Sequence, residues 1–105
     1  MTATASREAA TVVRVRIPSP LRSYTGADEV AVAIPVLAPE LPPTVGGVLA
    51  ALDNAYPGIR FRIVDEQRQL RPHIKLFVGG RMTRNLADPL DAASEVMIVA
   101  ALSGG

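Results

Sequence analysis

Few residues in this sequence are of types that carry chemistry. His73 is the one histidine, cysteine is absent, and carboxylates gather as Asp65-Glu66 and as Asp88 with Asp91. Gly79-Gly80-Arg81 sets a glycine pair before a cation, and the sequence closes on Leu102-Ser103-Gly104-Gly105. Without cysteine there is no disulfide scaffold, thiolate metal site or cysteine nucleophile. A single histidine excludes most histidine-based zinc sites, and His73 reads as a surface or loop residue. The carboxylates read as solvated loops rather than metal ligands, so no metal site is expected. Gly79-Gly80-Arg81 lacks the lysine and the following helix of a phosphate loop and reads as a hairpin turn. No nucleophile–base pair is visible, so an independent enzyme is not expected. The glycine tail remains. A Ser-Gly-Gly end alone usually means nothing, so its weight depends on what precedes it.

The chain has 105 residues, enough for one domain, with little room for an internal catalytic cavity. Lys and Arg number 11 against 10 Asp and Glu, which argues against nucleic acid as a partner. No run approaches the roughly 18 apolar residues of a membrane span, and residues 1–8 lack the apolar stretch of a signal peptide. A soluble cytoplasmic protein, monomeric when free, is expected. Its parts are a flexible lead-in at 1–10, a domain at 11–100 and a flexible tail at 101–105.

The elements that must position the tail follow from periodicity. Val13, Val15 and Ile17 alternate with Arg14 and Arg16, a half-buried strand that Pro18 and Pro20 end. Thr25-Gly26-Ala27-Asp28 supplies a turn, and Val30, Val32 and Ile34 alternate again, predicting an antiparallel hairpin with a short link. Residues 35–43 hold four of the nine prolines and read as an extended connector. Thr44 caps a helix to about Ala55, because Val45, Val48, Leu49 and Leu52 form one apolar stripe. Gly46 and Gly47 each weaken its first turn by roughly 1 kcal/mol relative to Ala and predict a close approach to the sheet. Pro57-Gly58 stops it after Tyr56. Tyr24 and Tyr56 read as packing residues. Residues 59–73 read as a loop with at most a short helical turn. Ile74 to Val78 is a strand, Gly79-Gly80 turns it into Arg81-Met82-Thr83, residues 86–93 form a loop, and Glu95 to Ala100 is the last strand.

The order is strand, strand, helix, strand, short strand, strand. It predicts an α+β fold, a mixed sheet with one main helix packed on one face, as in the ubiquitin-like β-grasp.

Several segments together resemble the MoaD/ThiS family of ubiquitin-like sulfur carriers. They are Ile17-Pro18-Ser19-Pro20-Leu21-Arg22 leading to Thr25-Gly26, the helix start Thr44-Val45-Gly46-Gly47-Val48-Leu49, and its exit Asn54-Ala55-Tyr56-Pro57-Gly58-Ile59. Ile74-Lys75-Leu76-Phe77-Val78 before a tight turn and a final strand running into Gly-Gly complete the set. Within the family the chain looks most like the carriers of actinobacterial cysteine biosynthesis. It departs in a longer proline-rich connector, an extra lead-in, and Ala100-Ala101-Leu102-Ser103 where the family often has a proline.

The resemblance implies that no cofactor is bound and that Gly105 is the working residue, with Leu102, Ser103 and Gly104 as its tail. An adenylating enzyme uses ATP to activate the Gly105 carboxylate, a sulfur nucleophile displaces AMP, and the thiocarboxylate delivers sulfur to a synthase. Cysteine, molybdopterin, thiamine or a sulfur-containing natural product would receive it. The α-carboxyl, with a reference pKa of about 3.3–3.7, is already ionised at neutral pH. Glycine opens backbone conformations closed to other residues and fits a narrow tunnel. From Ala101 to Gly105 the tail reaches roughly 16–18 Å, at about 3.3–3.6 Å per residue.

By strand parity the sheet face opposite the helix carries Val12, Arg14, Arg16, Lys75, Phe77, Met97 and Val99. An open face is normally polar, so Phe77, Met97 and Val99 among Arg14 and Arg16 are expected either to dock the activating enzyme or to lie under the 59–73 segment. Two rival functions stay open. One is a ubiquitin-like modifier joined to other proteins through Gly105. The other is a non-catalytic β-grasp binding module in which Gly-Gly is incidental.

Overall fold

The computed structural model describes residues 10–35, 43–90 and 95–101. Alternating side chains produce the strands. β1 (Ala10–Arg16), β2 (Glu29–Pro35), β3 (Ile74–Val78), β4 (Arg81–Thr83) and β5 (Glu95–Ala100) form one sheet in the order β2-β1-β5-β3-β4. β1 and β5 run parallel, and the remaining pairs are antiparallel, so the sheet is mixed as expected. β5, the last strand in sequence, is the middle strand of the five. The inward residues Val13, Val15, Val32, Ile34, Leu76, Val78, Val96 and Ile98 are all buried.

Helix α1 (Arg22–Thr25) and a 3-10 turn at Ser19–Leu21 occupy the connection from β1 to β2. The short link expected there is therefore replaced by a folded segment over 17–28 that buries Leu21. Gly26, at φ +70°, ends α1, and its N–H donates to the Arg22 carbonyl at 2.7 Å.

Helix α2 (Val45–Ala55) lies across the sheet, and its stripe of Val45, Val48, Leu49 and Leu52 is buried. The Thr44 Oγ1 accepts from the Gly47 N–H at 3.1 Å, capping the helix. The amides ahead of it are held by a different partner. The Val45 N–H donates to the Asp88 carbonyl at 3.0 Å and the Gly46 N–H to the Leu86 carbonyl at 2.8 Å. A Cβ on Gly46 would stand 3.2 Å from that Leu86 oxygen, whereas one on Gly47 would meet Ile34 at an ordinary 3.8 Å. The close approach expected toward the sheet is thus made to the 86–88 loop, and only at Gly46.

After Tyr56, Gly58 at φ +97° turns the chain into α3 (Ile59–Ile63). The Asp53 Oδ1 accepts from the Gly58 and Arg60 N–H groups at 3.0 and 3.1 Å, tying the two helices together. Ile59 and Ile63, one helical turn apart, are both fully buried, and Phe61 between them is 56% exposed. The 59–73 segment continues through a Val64–Leu70 bridge, and both of these residues join the same core. Residues 36–42 of the proline-rich connector lie outside the described residues.

Candidate docking face and tail root

The middle position of β5 decides where the tail begins. The Ala101 N–H donates to the His73 carbonyl at 2.9 Å, one step beyond the Ile74–Ala100 pairing of β3 with β5. That bond pins the root of the tail at the end of the central strand. His73 itself is exposed and contributes through its backbone. Leu102, Ser103, Gly104 and Gly105 lie outside the described residues.

The face opposite α2 presents one continuous cross-strand row. Glu29 of β2 pairs with Arg16 of β1, Arg16 with Met97 of β5, Met97 with Phe77 of β3, and Phe77 with Met82 of β4. Directly opposed residues of antiparallel strands hold their Cβ atoms about 4.5–5.5 Å apart, so Met97, Phe77 and Met82 form a contiguous apolar strip. Met82 is 52% exposed and Met97 39%, while Phe77 is half-buried. Val99, opposite Lys75, is half-buried nearer the tail. Arg14 and Arg16 stand exposed at the strip's edge, and the Arg14 Nε lies 3.5 Å from the Glu29 carboxylate.

The 59–73 segment does not cover this strip. Its apolar residues Ile59, Ile63, Val64 and Leu70 turn into the core that contains α2. Met82 is the member that the sequence reading passed over. Its signal was present, because Thr83 is the inward residue of β4 and parity then sends Met82 outward beside Phe77.

The other candidate residues have structural work. The Asp65 Oδ1 accepts from the Gln67 and Gln69 N–H groups at 2.9 and 3.0 Å, closing the turn that places Arg68 at φ +64°. The Asp88 carboxylate accepts from the Thr83 hydroxyl and lies 4.0 Å from Arg81. Asp91 lies outside the described residues. Gly79 and Gly80, at φ +57° and +85°, form the β3–β4 turn. Tyr24 and Tyr56 pack half-buried against the core. Among the described residues no three His, Asp or Glu side chains converge as a metal site, and no helix is long and apolar enough to cross a membrane.

No protein-family description and no curated protein matches the chain. Solved structures do. A chain of the Amycolatopsis orientalis BexX/CysO complex superposes with a TM-score of 0.73 at 26% identity, covering 89% of this chain and 99% of that one. Mycobacterium tuberculosis CysO, described as an antigen, gives 0.72 at 27% identity, over 86% of this chain and 99% of its own. The small archaeal modifier protein 1 of Methanosarcina acetivorans gives 0.69 at 25% identity, over 91% and 98%. The fold is the ubiquitin-like β-grasp. Within it the chain resembles the ubiquitin-like sulfur carriers, as its sequence segments predict. In this β-grasp the tail leaves the middle strand, and the Met97–Phe77–Met82 strip begins on that same strand.

Proposed function

We propose that the chain is a sulfur carrier activated at its C-terminal glycine. The observation that carries this reading is the pinned root at Ala101, set at the end of the central strand beside an exposed apolar strip. A partner that grips Met97, Phe77 and Met82 would hold the domain by a rigid sheet, while the thin Gly104-Gly105 end enters its active site. Exposed apolar patches with charged rims suit such docking.

The chemistry is the partner's. The Gly105 carboxylate oxygen attacks the α-phosphorus of ATP, and pyrophosphate leaves. A hydrosulfide-level sulfur nucleophile then attacks the acyl carbon, the C–O bond to AMP breaks, and AMP departs with the electron pair. The resulting thiocarboxylate is a soft nucleophile that a synthase turns on its own electrophilic substrate. The carrier contributes a reachable carboxylate and a docking surface, and ATP belongs to the activating enzyme. The carrier works as a free monomer in the cytoplasm, and likeness to a chain solved in a two-protein complex agrees with a partner-dependent role.

A second reading rests on the likeness to a small archaeal modifier protein. Activation is identical, but a lysine amine of a target protein replaces the sulfur nucleophile and an isopeptide forms. Incubation with the host's activating enzyme, ATP and sulfide, followed by intact mass measurement, separates the two. The carrier reading expects a chain ending at Gly105 that gains the difference between sulfur and oxygen. Adducts to lysine without that gain would favour the modifier, and an unchanged chain would overturn both.

A further inference from the structure

A groove of about 620 Å³ reaches the tail root, and none of Met97, Phe77 and Met82 lines it. Ala101 lines one end, Phe61 of α3 and Tyr24 of α1 form walls, and Arg62, Arg71 and His73 supply its polar surface. Among the described residues no aspartate or glutamate lines it.

The two arginines are held in a distinctive way. The Arg71 guanidinium sits 4.8 Å from the centre of the Phe61 ring, and its Nε donates to the Phe61 carbonyl at 2.8 Å. The Arg62 Nε donates to the Tyr24 hydroxyl oxygen at 2.8 Å. In each case one nitrogen is anchored, and the terminal Nη groups have no protein partner among the described residues. Neither arginine is in an ion pair among those residues, whereas Arg14 and Arg81 face Glu29 and Asp88. Arg84 differs again, because both of its terminal nitrogens donate to the carbonyls of Ile74 and Leu70.

Two oriented guanidinium forks with no acidic neighbour among the described residues suit carboxylates, which they bind through paired charge-assisted hydrogen bonds. Anchoring Nε in advance lowers the ordering cost that usually weakens surface ion pairs. The size of the groove and its apolar walls, Pro20, Leu21, Ile74 and the Phe61 ring, suit a peptide better than a lone anion. A net charge of +1 is too small for nucleic acid to be the favoured occupant.

We propose that the groove between Phe61, Arg62, Arg71 and Tyr24 is a second docking surface, which takes an acidic segment of a partner protein beside the root of the tail. Such a partner could grip the domain here while the Met97–Phe77–Met82 strip stays free, so two proteins could approach the same tail by different surfaces. This goes beyond the carrier reading and does not depend on the fate of the Gly105 carboxylate.

The test is a backbone-amide NMR titration of the full chain with a hexaglutamate peptide at low ionic strength, run beside hexalysine and inorganic phosphate. Saturable shifts are expected at Tyr24, Phe61, Arg62, Arg71 and Ala101. Affinity should fall about tenfold in the Arg62→Gln/Arg71→Gln variant and decline with added salt. Because Arg71→Gln also removes a bond to the Phe61 carbonyl, the Arg62→Gln single variant, which loses only an exposed bond to the Tyr24 hydroxyl, is measured too and should weaken binding with its spectrum unchanged away from Tyr24. Absence of saturable shifts, shifts confined to Arg14, Arg16 and Met97, an equal response to hexalysine, or undiminished binding by Arg62→Gln would overturn the proposal. Equal saturation by phosphate would also overturn it, since the site would then take a small anion only.

Discussion

Met97 of β5 stands directly opposite Phe77 of β3 on the sheet face away from α2, and Phe77 in turn stands opposite Met82. A strip of methionines flanking an aromatic is adaptable, because the unbranched thioether repacks against irregular partners and contacts ring edges favourably. Replacing Met97 by glutamate sets a charge on an already exposed position. Met97→Glu should therefore weaken binding to an activating enzyme while leaving Tm nearly unchanged, as surface substitutions usually stay within about 0.5 kcal/mol. Calorimetric binding and thermal melts decide it, and an unfolded Met97→Glu would mean that the residue belongs to the core. Met82→Glu should behave alike.

The buried side of α2 responds differently. Leu49 and Leu52 are essentially inaccessible and pack within the core formed by the sheet and α3. Leu49→Ala or Leu52→Ala should cost about 2–5 kcal/mol through lost burial and the cavity left behind. Denaturant unfolding measures this, and a loss under about 0.5 kcal/mol at both positions would contradict the packing.

The paired glycines at the start of α2 should separate. A methyl on Gly47 meets only ordinary contacts with Thr44 and Ile34, so Gly47→Ala should stabilise by up to about 1 kcal/mol through helix propensity. A methyl on Gly46 would press on the Leu86 carbonyl oxygen that its own N–H holds. Gly46→Ala should gain less or lose outright. Equal stabilisation by both would mean that the 86–88 loop yields freely.

The same contrast marks what the sequence makes legible. α2 and the four longer strands were readable because each keeps a period, 3.6 along Val45–Leu52 and two along Ile74–Val78 and Glu95–Ala100, while the three-residue β4 was readable from the Gly79-Gly80 turn before it. α3 was not. Ile59, Phe61 and Ile63 alternate with period two, the pattern of a strand, yet over a single turn the same residues bury both isoleucines and expose the phenylalanine. The 3-10 turn and α1 carry too few residues to show any period. Gly46 signals a close approach but not to what, since Leu86 is distant in sequence. The outward strip was accessible through parity, as Met82 shows. The groove was not, because Tyr24, Phe61, Arg71 and Ala101 come together only through the fold.

The tail carries the prediction on which the carrier reading stands. Activation needs an unhindered carboxylate at the end of a thin chain that leaves the pinned root at Ala101. Removing Gly105 withdraws the carboxylate by roughly 3.5 Å, and misplacement at a reacting centre can cost on the order of 100-fold in rate. Gly104→Val should do comparable harm by another route, because a branched side chain restricts φ and widens the segment that must enter a tunnel. Neither change touches the buried residues of the sheet and helices, so thermal stability should hold in both. The assay is ATP–pyrophosphate exchange with the host's adenylating enzyme, which reports carboxylate activation before any sulfur or lysine step. Loss of exchange with an intact melt is the expected result for both variants. Equal exchange by the truncated and full-length chains, both folded, would remove the carrier and modifier readings together and leave a plain binding module.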